Sequence, residues 1–107
     1  MTKYHNRKCE IDGMKFDSLA EGRRYNELKL MRHAGLISEL EMQKKFSIDI
    51  NGQHICNYYA DFFYYDIQNE KWITEDIKGG NATKTAAYRL KKKLMKAVLG
   101  VDIVEVE

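Results

Sequence analysis

Apolar and polar positions change period several times along the chain, and each change marks an element. Lys8-Cys9-Glu10-Ile11 and Met14-Lys15-Phe16 flank Asp12-Gly13, a dipeptide suited to the positive φ angles of a tight turn, which predicts a small N-terminal hairpin. Ser18-Leu19-Ala20-Glu21 matches a capping box, and Leu19, Tyr25, Leu28, Met31 and Ala34 recur at helical spacing until Gly35. The spacing predicts a helix over roughly 18–34. From Leu36 to Ile50 the pattern is extended, Asn51-Gly52 gives a second hairpin turn, and Ile55 to Asp66 is a long strand rich in aromatics. Gln68-Asn69-Glu70 turns into a strand over Trp72 to Lys78,. Gly79-Gly80-Asn81 breaks the sheet. A second helix, capped near Thr83 or Thr85, follows with Ala87, Leu90, Leu94, Ala97 and Val98 as its expected buried stripe,. Gly100 closes it, and Val101 to Val106 alternates as a last strand.

Composition narrows the picture without deciding it. The 107 residues suit a single α/β domain, with residues 1–16 as an arm and hairpin,. Charged residues make up 32% of the chain, but 18 Lys and Arg against 16 Asp and Glu leave a net charge of only +2. That excludes a histone-like polycation and shifts the weight to how charge is distributed. Cys9 and Cys56 lack metal-ligand spacing, so reduced thiols are expected and a zinc site is not,. Without a signal-like or membrane-length apolar stretch, a soluble protein inside a cell is expected. Proline is absent, and with it any Pro-rich linker,.

The candidate chemistry lies on two strands. Asp61 stands in Tyr59-Ala60-Asp61-Phe62-Phe63, and Asp76-Ile77-Lys78 follows Trp72-Ile73-Thr74-Glu75. Residues i and i+2 of a strand share a face, so Asp76 and Lys78 stand together, and strand pairing can bring Asp61 beside them. Glu75 then faces away. Buried charge costs several kcal/mol unless it is paired or binds a metal. Two carboxylates and an ammonium suit metal-dependent phosphodiester hydrolysis, with Mg²⁺ on the carboxylates and lysine steadying phosphate or hydroxide. The plainer alternative is an ion pair, worth at most about 1 kcal/mol if exposed. Lys84, Arg89, Lys91, Lys92, Lys93 and Lys96 crowd the second helix, and no Asp or Glu occurs between Lys78 and Val101. One-sided charge of this kind suits a phosphate track more than a solvated face. Tyr88 and Lys91 share one flank of the helix. Arg23 and Arg24 on the first helix, with His5, Arg7 and Lys8 in the arm, are candidates to extend the track, the alternative for the arm residues being a disordered tail. His33 and His54 have no companions at catalytic spacing.

The element order, with Asp61, Asp76-Ile77-Lys78 and Glu21 on the first helix, resembles the PD-(D/E)XK nuclease superfamily, the restriction-endonuclease-like αβββαβ fold. Phe16-Asp17-Ser18-Leu19-Ala20-Glu21, Ala60-Asp61-Phe62, Glu75-Asp76-Ile77-Lys78-Gly79 and Thr85-Ala86-Ala87-Tyr88 look like a group of small phage-encoded members whose function is unassigned or given as endonuclease. The likeness runs from about Phe16 to the end of the chain. It implies a mixed four-stranded sheet flanked by two helices, and Mg²⁺, with Mn²⁺ as substitute, held by Asp61, Asp76, the Ile77 carbonyl and Glu21. Lys78 would orient the nucleophile. Asp76 stands where most members have glutamate, Ala60 precedes Asp61 in place of proline, and Glu21 has a competing use as a helix cap. Specific DNA interfaces bury on the order of 1,000 Å² of protein surface or more, and a chain of this size is therefore expected to act as a homodimer. By analogy of fold with Holliday junction resolvases, the expected substrate is branched DNA in a phage-infected bacterial cytoplasm. The alternatives are a nickase or other phage DNA-processing nuclease, and a nucleic-acid- or partner-binding module that has lost turnover.

Overall fold

The computed structural model describes residues 8–78 and 84–107. Strands β1 (Cys9–Ile11) and β2 (Met14–Phe16) form the expected hairpin, with Asp12 and Gly13 at φ 54° and 78°. Helix α1 (Leu19–His33) follows Ser18, whose side chain accepts from the Glu21 N–H. Strands β3 (Ile37–Ile50), β4 (Gln53–Asp66) and β5 (Lys71–Ile77) run antiparallel in succession. Helix α2 (Ala86–Leu94) is capped by Thr85, continues through a π-helical turn over Met95–Leu99, and stops at Gly100, φ 70°. Strand β6 (Ile103–Val106) pairs parallel to β5, giving a mixed sheet in the order β3-β4-β5-β6. This is the α/β layout expected from the pattern. Gly79 to Thr83, including the predicted break and one of its two predicted caps, lie outside the described residues.

Successive residues of β5 project to opposite faces of the sheet. Arg24 of α1 bonds Glu75, whereas Tyr88 of α2 lies against Lys78, so the two helices cover opposite faces. Beneath α1 are Phe16, Tyr25, Leu28, Ile37, Phe62, Tyr64 and Ile77; beneath α2 are Ile48, Tyr58, Ala60, Tyr88, Met95 and Ile103. Tyr58, Ala60, Phe62 and Tyr64 alternate along β4, yet the first two belong to one cluster and the last two to the other. The changeover falls at Asp61. Opposite it, Gln43 has φ 54°, outside the extended region, a local departure of the kind that re-aims a strand,.

Two expectations need correction. Leu90 is 59% exposed and Ala87 and Ala97 are also exposed, while Tyr88 and Met95 are the buried residues of the second helical segment. Leu94 and Val98 of that stripe do pack, half-buried, against the cluster beneath α2; the π-helical turn adds a residue to the repeat only from Met95 on, so it bears on Ala97 and not on Ala87 or Leu90,. Trp72, a large apolar residue of β5 whose presence there argues for burial of the strand, is itself 53% exposed and stacks on Phe63 with ring centres 5.0 Å apart.

Candidate active site

The antiparallel register sets Phe62 opposite Glu75, and so Asp61 opposite Asp76. Asp61 Oδ2 accepts the Ile77 N–H at 2.8 Å and Oδ1 accepts Gln43 Nε2 at 3.2 Å. A side chain thus takes a strand N–H at the point where β4 changes clusters. Asp76 Oδ1 lies 3.0 Å from Lys78 Nζ, and its Oδ2 accepts the Tyr58 hydroxyl at 2.5 Å. Burial, reinforced by Asp76, holds the Tyr58 hydroxyl above its usual range, so it remains a donor. Asp76 and Lys78 are both buried, and the Lys78 ammonium sits 3.6 Å from the centre of the Tyr88 ring.

Glu21 completes the acidic group. Its N–H, but among the described residues not its carboxylate, takes part in the cap, so the two uses of this side chain do not compete. Burial first, then repulsion from Asp61, Asp17 and Asp76, pushes the Glu21 carboxyl up to about 7, with Lys78 opposing. Burial likewise raises Asp61 to about 6; the Ile77 N–H and Gln43 pull it down, and Asp76 pushes it up. The Lys78 ammonium is, among the described residues, the one cation shown facing the carboxylates of Asp76 and Glu21. Among the described residues no three acidic, histidine or cysteine side chains already stand in ligating geometry. The donor set nevertheless fits a hard divalent cation. A carboxylate oxygen carries more than one lone pair, so the oxygens of Asp61 and Asp76 can accept beyond the bonds they make to Ile77, Gln43, Tyr58 and Lys78, and among the described residues acid exceeds base here,. Ile77 enters the site through its N–H.

The other face of β5 is closed. Arg24 Nε and Nη2 meet the two oxygens of Glu75 at 2.9 and 2.6 Å, and the Tyr64 hydroxyl donates to Glu75 Oε2. The fork holds the guanidinium above its usual range, chiefly through Glu75. Arg24, expected in the DNA track, is therefore engaged inside the fold, because its helix turn faces β5. Arg23, its neighbour, is exposed.

The basic helix also has partners that are distant along the chain. Tyr88 Oη donates to Glu105 Oε2 at 2.8 Å, Lys92 Nζ approaches the same oxygen at 3.0 Å, and Lys84 Nζ lies 3.2 Å from Oε1. Hydrogen bonds from Tyr88 and Lys92, then from Lys84, hold the Glu105 carboxyl down at about 2. Lys96 pairs with Asp102 at 3.0 Å. Among the described residues Arg89, Lys91 and Lys93 have no acidic partner. Of the arm, His5 and Arg7 lie outside the described residues and Lys8 is exposed. His54 joins a surface network with Asp49 and Ser47, away from the carboxylate cluster, and His33 is exposed. Sequence reasoning missed Gln43, Tyr58 and Glu105. None carried a signal along the chain; Glu105 comes into register with Asp76 only through the parallel pairing of β6 with β5.

Fold and site define a small α/β protein with a mixed sheet and a carboxylate–lysine cluster between its two helices. The chain belongs to the family described as "Protein of unknown function (DUF1064)", whose model matches residues 1–101. No curated protein and no solved structure matches it. No described helix is long and apolar enough to cross a membrane.

Proposed function

We propose that this protein is a Mg²⁺-dependent endodeoxyribonuclease of PD-(D/E)XK type, acting on branched DNA such as a four-way junction. The observation that carries the reading is the acid-rich pairing of Asp61 with Asp76, with Lys78 at 3.0 Å on the same face. Asp61 and Asp76 would hold Mg²⁺ or Mn²⁺, with Glu21 and the Ile77 carbonyl contributing. A bound divalent ion supplies a nucleophilic hydroxide near neutral pH and offsets charge on the phosphoryl oxygens. Lys78, positioned by Asp76 and the Tyr88 ring, orients the attacking water and balances charge in the transition state,. Tyr58 fixes the Asp76 carboxylate from the opposite side. Arg89, Lys91 and Lys92 on α2, with Arg23 on α1, follow the DNA backbone. Two copies on a two-fold axis would present two such sites to a symmetric junction, in the cytoplasm of a phage-infected bacterium.

The engagement of both Asp76 oxygens by Lys78 and Tyr58 favours a second reading, a DNA-binding module on the same fold without turnover. Plain, nicked, flapped and four-way DNA incubated with Mg²⁺, Mn²⁺ or EDTA separates them. Metal-dependent cleavage, strongest on the four-way substrate and lost in Asp76→Asn, is the expected result. Binding without cleavage under every metal condition selects the module, and cleavage unaffected by EDTA overturns the mechanism.

A further inference from the structure

A groove of about 650 Å³ runs between α2 and β6, bordered by Lys84, Arg89, Lys92, Lys93 and Lys96. Its carboxylates are Asp102, paired with Lys96, and Glu105, on which Lys84, Lys92 and Tyr88 all converge. An ordinary surface ion pair joins one cation to one anion. Here a single carboxylate takes two ammonium groups and a hydroxyl, each within 3.2 Å. A backbone phosphodiester has the same valence as that carboxylate: one negative charge shared by two terminal oxygens. Donors arranged for one can therefore serve the other.

We propose that Lys84 Nζ, Lys92 Nζ and Tyr88 Oη form a seat for a nucleic-acid backbone phosphate, which Glu105 occupies in the free protein and must yield on binding. The proposal deepens the reading of α2 as a DNA-binding surface and rests on it. It makes Glu105 an internal competitor that weakens the hold on any passing polyanion while Arg89 and Lys93 remain available for first encounter. It also joins the seat to the candidate active site. The Tyr88 hydroxyl faces Glu105 while its ring carries Lys78 at 3.6 Å, so an arriving phosphate touches the side chain that positions Lys78.

The test is Glu105→Gln, which keeps the shape and an acceptor for Tyr88 but removes the charge. A labelled short duplex is titrated in EDTA, without turnover, across a range of salt. Glu105→Gln is expected to bind about tenfold tighter than wild type, with log K falling more steeply against log salt by about 0.9 for each further phosphate neutralised. Unchanged or weaker binding by the folded variant overturns the seat. Inorganic tripolyphosphate added to wild-type protein, followed by amide shifts, provides a measurement independent of the variant's folding. Shifts centred on Lys84, Tyr88, Lys92 and Glu105 support the seat, and shifts elsewhere or none overturn it. A tighter Glu105→Gln without metal-dependent cleavage in either protein leaves the seat standing and removes the nuclease reading. Metal-dependent cleavage with unaltered affinity in Glu105→Gln does the reverse.

Discussion

Glu75 and Asp76 are adjacent in β5 and both buried, yet their surroundings are opposite in kind. Glu75 is met by a two-point guanidinium and a tyrosine hydroxyl, so its charge is matched within the fold. Asp76 pairs with the Lys78 ammonium beside the carboxylates of Asp61 and Glu21, and among the described residues acid is in excess there. A matched buried charge has a structural use. An unmatched group of them is retained at a cost, and on the proposed reading a divalent cation offsets it.

The largest expected effect removes the excess. Asp61→Asn and Asp76→Asn each abolish metal-dependent cleavage, by at least about a hundredfold; melting temperature holds or rises in Asp61→Asn, where like charges no longer repel, and falls in Asp76→Asn, which takes the carboxylate from the buried Lys78,. Lys78→Ala slows cleavage strongly and weakens DNA binding much less. Wild-type turnover in any of the three would place the chemistry elsewhere. Ca²⁺ is expected to bind without supporting turnover, since its looser coordination misplaces the water.

Breaking the matched side tests the opposite expectation. Arg24→Ala strands Glu75, which is 1% exposed, and is expected to cost about 3–5 kcal/mol in urea unfolding,. Adding Glu75→Gln should recover part of that loss, because no charge is then left without a partner. If Arg24→Ala melts like wild type but binds DNA less tightly, Arg24 belongs to the DNA track and the contrast between the two faces fails.

The order of elements was legible because local signals agree: Asp12-Gly13 and Asn51-Gly52 take positive φ, Ser18 and Thr85 cap, and Gly35 and Gly100 end helical segments. Asp61, Asp76 and Lys78 were legible together because strand alternation and antiparallel pairing fix which side chains share a face. The partners of α2 were not. Lys84, Lys92 and Lys96 look unpaired along the chain, but the parallel return of β6 brings Glu105 and Asp102 beneath them. Arg24 falls outside the expected track for a related reason, since helical phase alone does not say which sheet residue waits opposite. The π-helical turn shifts the register at Ala97 away from that of a regular helix.

A smaller effect probes how α1 is held against the hairpin. A Cβ at Gly22 would lie 2.6 Å from Cys9 Sγ and 3.1 Å from Ile11, closer than packing allows. Gly22→Ala is therefore expected to cost about 1–3 kcal/mol as the hairpin shifts from the helix. Cys9→Ala in the same chain should return part of it. Equal stability of Gly22→Ala and wild type would mean that hairpin and helix separate freely, and that the Glu21 position does not depend on this packing.

The smallest expected effect concerns acid stability and sets Glu105 against both carboxylates of β5. Its carboxyl is held at about 2 in the folded protein against an ordinary 4.5, so the unfolded chain takes up the proton first,. The stabilisation is present above pH 4.5 and is lost as pH falls from there towards 2. Partial exposure leaves it on the order of 1 kcal/mol. Wild type should thus lose more stability than Glu105→Gln across that interval, followed by urea midpoints at several pH values, and the two should converge at its acid end. The variant would then be the less stable protein at neutral pH and the tighter DNA binder, because the charge that steadies α2 against β6 is the one that competes with phosphate. Parallel pH profiles would mean that Lys84, Lys92 and Tyr88 hold Glu105 too loosely in solution for it to compete at all.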